Sequence, residues 1–369
     1  MLISESYVGK HYSELPDPCL IVDLDKLDEN IKIMQEYVSG HTSCVLRPHI
    51  KTHKCPAIAN MQISAGAAGI TCAKIGEAEV MAMSGIKNIL IANQIVSPAK
   101  IKVLAGLNRY CDVSVCVDDK INIDALDYFA GAAEAKIPVL VELDIVQDRC
   151  GTRTAEETLE LARYVSKKPN LIFKGMQSYE GRFPDDCRTE EAKKTFVKET
   201  TGFAAEVKGY LQDSGVPVEI LSGVSTSTVK YATQIADGMT EVQAGSYVFM
   251  ESAYDPEMIG LPLQQSLYIV TKICSMYGDR IVLTAGEKSI TNDQGQPLLA
   301  DDPQTGMDLN EEHCLVDRTD KLQDCRIGDT MLVIPSHCCT TVNLHDYLFA
   351  VRSGIVEAVW PVSARGRSY

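Results

Sequence analysis

The chain has 369 residues, a hydrophobic fraction of 45% and a formal net charge of −15. That length can bury a large core and carry a second, smaller unit, and the composition is that of a soluble globular protein. The negative balance argues against nucleic acid or an anionic membrane as the main partner, no apolar run approaches the ~20 residues of a membrane helix, and the start MLISESYVGKHY lacks the basic and apolar regions of a signal peptide.

A strand at 19–24 precedes a long helix at 25–38. Short apolar runs with the texture of buried parallel strands follow at 43–48, 68–72, 88–93, 112–117, 138–144, 172–178, 218–222 and 240–246. Segments with helical apolar spacing lie between most of them, at 55–65, 76–84, 97–107, 154–167 and 190–213. The clearest stripe runs through Leu159, Leu161, Ala162 and Val165. Eight strands alternating with helices predict a (β/α)8 TIM-type barrel, with a doubly wound open sheet as the alternative. After about residue 262 the pattern changes to strands without helices, at 266–276, 280–284, 312–316, 329–335, 346–352 and 354–360, separated by turn-rich segments. The expected organisation is a barrel over 18–261 and a β-rich unit formed from 1–17 and 262–369, which also takes the first strand. Thirteen cysteines, odd in number and without zinc-finger spacing, point to reduced thiols in a cytoplasm.

The run Arg47-Pro48-His49-Ile50-Lys51-Thr52-His53-Lys54 leaves an apolar strand end, where α/β enzymes place chemistry. Cationic neighbours would lower the pKa of Lys51 and free its amine to attack a carbonyl. A solvated basic turn is the plain alternative. Gly223-Val224-Ser225-Thr226-Ser227-Thr228 follows another strand and suits a phosphate cradle, or an ordinary helix cap. Gly245-Ser246-Tyr247 ends the last barrel strand. Arg149, Gln177, Tyr179 and Glu180 lie at two further strand ends and read as a lining of the barrel mouth or as plain loop chemistry. His337 and Cys339 are two apart, so on an extended backbone they share a face and make half of a divalent-metal site; from spacing alone, a buried cysteine beside a backbone-bonded histidine is the commoner case.

Taken together, PDPCLIVDLDKLDENI, RPHIKTHK, GITCAKIGEAEVMAMSGIKNILIANQIV, DRCGT, GMQSYEG, QAGSYVFM and PSHCCTTVNLHD resemble the fold-type III pyridoxal-phosphate enzymes related to alanine racemase, specifically the D-threonine aldolase / D-serine dehydratase group. The resemblance spans nearly the whole chain. It implies pyridoxal 5'-phosphate on Lys51 as a Schiff base, a phosphate site at Gly223, Ser225, Thr226, Gly245, Ser246 and Tyr247, a metal on His337 and Cys339, and a homodimer. Zinc suits histidine plus thiolate, with manganese and cobalt as alternatives. Two reactions on D-3-hydroxy amino acids fit: β-elimination to a 2-oxo acid and ammonia, or retro-aldol cleavage to glycine and an aldehyde. Aldolases of this group pair histidine with aspartate, and dehydratases pair histidine with cysteine, as here. The aldolases also carry a Tyr-His-Gly turn with a candidate base; this chain has Tyr179-Glu180-Gly181, so Glu180 takes that role or the retro-aldol route is impaired. The broad texture and the tail TVNLHD look closer to the D-threonine aldolases, while the metal pair and the Glu180 turn tip the balance to β-elimination. A metal-free racemase would leave His337 and Cys339 without a role, and a non-catalytic cofactor-binding protein would lack the second β unit.

Overall fold

A computed structural model describes residues 6–235, 238–254 and 256–369. The strand β1 (Cys19–Asp23) leads directly into helix α1 (Leu24–His41). Asp23 caps that helix by accepting the N–H groups of Asp25 and Lys26. Leu24, Leu27, Ile31, Met34 and Val38 form its buried stripe, and fully enclosed side chains such as Leu27 and Met34 each contribute on the order of 2 kcal/mol by leaving water.

The barrel strands and helices then alternate: β2 (Val45–Leu46), α2 (Pro56–Ser64), β3 (Ile70–Cys72), α3 (Ile75–Met83), β4 (Asn88–Gln94), α4 (Pro98–Leu107) and β5 (Asp112–Val117). They continue with α5 (Lys120–Ala132), β6 (Ile137–Leu143), α6 (Ala155–Val165), β7 (Leu171–Ser178), α7 (Glu190–Val197) and α8 (Phe203–Asp213). The last are β8 (Ile220–Gly223), α9 (Val229–Ile235), β9 (Glu241–Val242) and the short α10 (Pro256–Ile259). β2 to β9 form one eight-stranded parallel sheet in the order β2-β9-β8-β7-β6-β5-β4-β3. Its ends meet: the Ala68 and Thr71 N–H groups donate to Leu46 and Pro48 carbonyls at 2.8 Å, and His49 bridges Thr71. The expected strands and the barrel they predict are therefore present. The helix expected over 190–213 is interrupted by a π-turn at Lys198–Gly202, where the Thr200 hydroxyl bonds back to the Phe196 carbonyl at 2.7 Å.

The second sheet is mixed. It contains β1 with β10 (Leu267–Met276), β11 (Arg280–Leu283), β12 (Leu298–Leu299), β13 (Met307–Leu309), β14 (Cys314–Asp317) and β15 (Thr330–Ile334), then the short helix α11 (Cys338–Val342), β16 (Tyr347–Arg352) and β17 (Ile355–Pro361). β1 runs antiparallel to β10 and parallel to β16, which brings the two ends of the chain into one unit. The 18–261 span expected for the barrel thus includes one strand of the other sheet. The two-residue β12 and the three-residue β13 are too short to show alternation and lie outside the strands expected from the sequence.

Candidate active site

The stretch after β2 forms one tight turn, Ile50–Thr52, held by the buried Ile50 and capped by His49, whose Nδ1 accepts the Lys51 N–H at 3.4 Å. The other basic residues of the run are turned to separate tasks. Arg47 makes a two-pronged bond to Glu241 (2.7 and 2.8 Å) and a third to Asn88. Lys54 pairs with Glu77 at 3.4 Å. Burial keeps His49 and His53 neutral, with the His53 pKa lowered to about 4. The expectation that cationic neighbours depress Lys51 is therefore overturned. Burial and the Arg149 guanidinium act in that direction, but Tyr179, Cys339 and Glu77 together outweigh them, and the Lys51 pKa is raised. Nor are His49, His53 and Lys54 solvated; all three are buried.

Lys51 stands between two adjoining cavities that also share His49, Tyr179 and Gln243. The smaller, about 170 Å³, is lined by Gln94, Glu142, Arg149 and Gln177. The larger, about 340 Å³, carries Ser225, Thr226, Gly245, Ser246, His337 and Cys339. Most of the residues singled out from sequence thus converge on one place. The Lys51 ammonium and the Arg149 guanidinium lie 5.6 and 5.9 Å from the centre of the Tyr179 ring. Gln177 Oε1 accepts from Gln243 Nε2 at 2.9 Å. Glu142, with 4% exposure, accepts from Gln94 at 2.6 Å, and burial raises its pKa to about 7.

The hydroxyl-rich loop is organised by Glu180. Its Oε1 accepts the Ser225 N–H at 2.8 Å and the Thr228 hydroxyl, and burial raises its pKa. Glu180 lines neither cavity, so its carboxylate is not presented as a base; it clamps the loop from behind. A Cβ on Gly223 would stand 2.0 Å from the Ser178 carbonyl, and one on Gly245 would stand 2.7 Å from that of His49, so both strand ends pack backbone to backbone. The N–H groups of Thr226 and Ser227 have no protein acceptor among the described residues. These features fit a phosphate. The Tyr247 side chain does not contribute, because its hydroxyl accepts from Gln62 at 2.9 Å inside the core; only its N–H faces the loop, donating to Thr226 at 3.2 Å.

His337 caps α11 and Cys339 lies in its first turn, so the pair is not on an extended strand as the spacing suggested. They are nevertheless neighbours in the larger cavity, with Thr52 Oγ1 at 3.6 Å from Cys339 Sγ. His337 Nδ1 bonds Asp293 at 2.7 Å, which leaves Nε2 for a further partner. Burial disfavours the charged ring, yet Cys339, Glu251 and Asp293 raise its pKa to about 9. An imidazole oriented by a carboxylate beside a thiol is a chemically suitable donor pair for a divalent metal. Among the described residues no third histidine, cysteine, aspartate or glutamate completes a cluster. His49 and Gln243 lie within the RPHIKTHK and QAGSYVFM motifs without being singled out as site residues, whereas Glu142, Glu251 and Asp293 carry no local motif; all five join the site only through the fold.

A parallel barrel with a lysine at a strand end and a mixed β unit built from both chain ends defines an alanine-racemase-like enzyme. Residues 22–253 match the alanine racemase N-terminal domain and residues 266–351 a putative serine dehydratase domain, and the chain belongs to this family. It is 36% identical to the D-threonine aldolase of an Arthrobacter species, over 98% of this chain and 95% of that one. The 3-hydroxy-D-aspartate aldolase of Paracoccus denitrificans (strain Pd 1222) is also 36% identical at the same coverage, and the D-threo-3-hydroxyaspartate dehydratase of a Delftia species is 26% identical over 89% of this chain and 92% of its own. The crystal structure of D-threonine aldolase from Filomicrobium marinum superposes with a TM-score of 0.89 at 33% identity, covering 97% of this chain and 98% of that one. The protein is a pyridoxal-phosphate-dependent lyase of the group acting on D-hydroxy amino acids.

Proposed function

We propose that the enzyme removes water from D-3-hydroxy amino acids by β-elimination, releasing a 2-oxo acid and ammonia. The observation that carries this reading is the His337–Cys339 pair in the same cavity as Lys51. Pyridoxal phosphate, when bound, supplies the electron sink that makes the substrate's α-proton labile. Lys51 Nζ would hold the cofactor and, once released, take the α-proton. Ser225, Thr226 and Ser246 would hold its phosphate, with the Gly223 and Gly245 backbones allowing the close approach. Arg149, Gln177 and Tyr179 would border its ring. His337 and Cys339 would hold zinc, or manganese or cobalt, whose role is to polarise the Cβ hydroxyl. Asp293 fixes the His337 ring for that task. Two features support elimination over retro-aldol cleavage: the donor pair is histidine with cysteine, and Glu180, at the position of the aldolase base, is turned away from the cavity. The resemblance carries a homodimer with it, and thirteen cysteines without a disulfide suit a cytoplasmic setting.

Retro-aldol cleavage is the second reading, favoured by the higher identity to the aldolases. Incubation with D-threonine and D-threo-3-hydroxyaspartate, followed by product analysis, separates the two. Ammonia with a 2-oxo acid and no glycine is expected; glycine as the dominant product would replace elimination with aldol cleavage. A strong chelator should abolish turnover and added zinc restore it. Chelator-insensitive turnover would remove the metal from the scheme.

A further inference from the structure

We propose that Arg182 is a specificity residue, reading a carboxylate on the substrate's Cβ substituent, so that the preferred substrates are acidic D-3-hydroxy amino acids. The inference rests on the reading that His337 and Cys339 mark where the Cβ hydroxyl lies. Arg182 lines the larger cavity together with that pair and with Lys51. Its Nη1 bonds Gln294 Oε1 at 3.4 Å, and Gln294 directly follows Asp293, which holds His337. The guanidinium and the imidazole are thus tied to consecutive residues of one turn. A Cβ substituent of a substrate bound in this cavity is therefore within the space that Arg182, His337 and Cys339 line together.

The charge on Arg182 is also available. Among the described residues no carboxylate pairs with it, whereas Arg149 lies in the other cavity with Glu142 at 4.0 Å. The one acidic side chain lining the larger cavity, Glu251, is engaged by the Cys338 N–H. Arg182 and Tyr254 also line a third cavity of about 210 Å³, together with Phe183, Met258, a second arginine, Arg188, and one carboxylate, Asp185. An aliphatic substituent needs neither guanidinium. A carboxylate gains a charge-assisted bond that a methyl group cannot make.

The test uses the holoenzyme and reads binding as well as turnover. D-Aspartate and D-alanine, which lack the hydroxyl, are titrated against the absorbance band of the bound cofactor in wild type, Arg182→Leu and Arg182→Lys. Wild type should favour D-aspartate. The leucine variant should lose that preference by about 10- to 30-fold, and the lysine variant should keep part of it. Cofactor affinity is measured in parallel. An unchanged preference in Arg182→Leu overturns the proposal, as does an equal loss for both amino acids together with weaker cofactor binding, which would assign Arg182 to the phosphate. If D-aspartate is preferred through Arg182 but no 3-hydroxy amino acid is consumed, the lyase chemistry has failed and the subsite stands.

Discussion

Lys51 is set apart from its basic neighbours by what each of them touches. Arg47 and Lys54 are matched by buried carboxylates and the histidines are kept neutral by burial, so only Lys51 carries an amine to the seam of the two cavities. Glu142 is a buried carboxyl group lining the smaller cavity, and its environment has a measurable consequence for stability. Its folded pKa is about 7 against an ordinary 4.5, because burial penalises the carboxylate. Between those pH values the unfolded chain ionises while the folded protein retains its proton, so stability falls as pH rises and the penalty is complete above about 7. It amounts to at most about 3 kcal/mol. Glu142→Gln should flatten the loss between pH 4.5 and 7 when urea midpoints are compared in the absence of added cofactor. A parallel decline in both proteins would mean that another group is responsible.

The elements depend on a few buried contacts between strand ends. Arg47 on the continuation of β2 and Glu241 on β9 are 6% and 5% exposed, and their two-pronged bond joins the strands that flank the Lys51 turn. The guanidinium fills the space beside Gly69, where a Cβ would stand 2.4 Å from its Nη1. Glu241→Gln should cost about 3–5 kcal/mol in a denaturation series, because Arg47 is left buried without its counter-charge. A loss below 1 kcal/mol would show that Asn88 and the strand backbone suffice to hold it.

At the scale of the molecule, the site exists because the β unit is pressed against the barrel mouth. Lys54 makes that junction: its ammonium reaches Asn343 just after α11 at 2.8 Å, Ser368 near the chain end at 3.0 Å and Glu77 on α3 at 3.4 Å. Lys54→Met should lower stability by about 2–4 kcal/mol and weaken cofactor retention, since it unpairs a buried glutamate and loosens α11 beside the Lys51 turn. Pairing it with Glu77→Gln should recover part of the stability, as a double-mutant cycle would show. Full retention of cofactor in Lys54→Met would mean that the barrel holds the site unaided.

The alternation of apolar runs and helical stripes determined the barrel, because parallel strands buried on both faces must be apolar throughout and their helices must be amphipathic. Local motifs likewise marked Lys51, the hydroxyl loop and the His337–Cys339 pair, since each follows a strand end. Side-chain direction lay beyond that reading. Glu180 and Tyr247 sit among cavity residues in the sequence, yet one bonds Ser225 and Thr228 and the other bonds Gln62, both inside the protein. Glu142 looks ordinary in the sequence and lines the smaller cavity, and His49 lies in the Lys51 run with nothing in the sequence to say that it faces both cavities. The meeting of Lys51 with a pair nearly three hundred residues later was decided by packing between the two sheets, because burial and distance are properties of the folded chain.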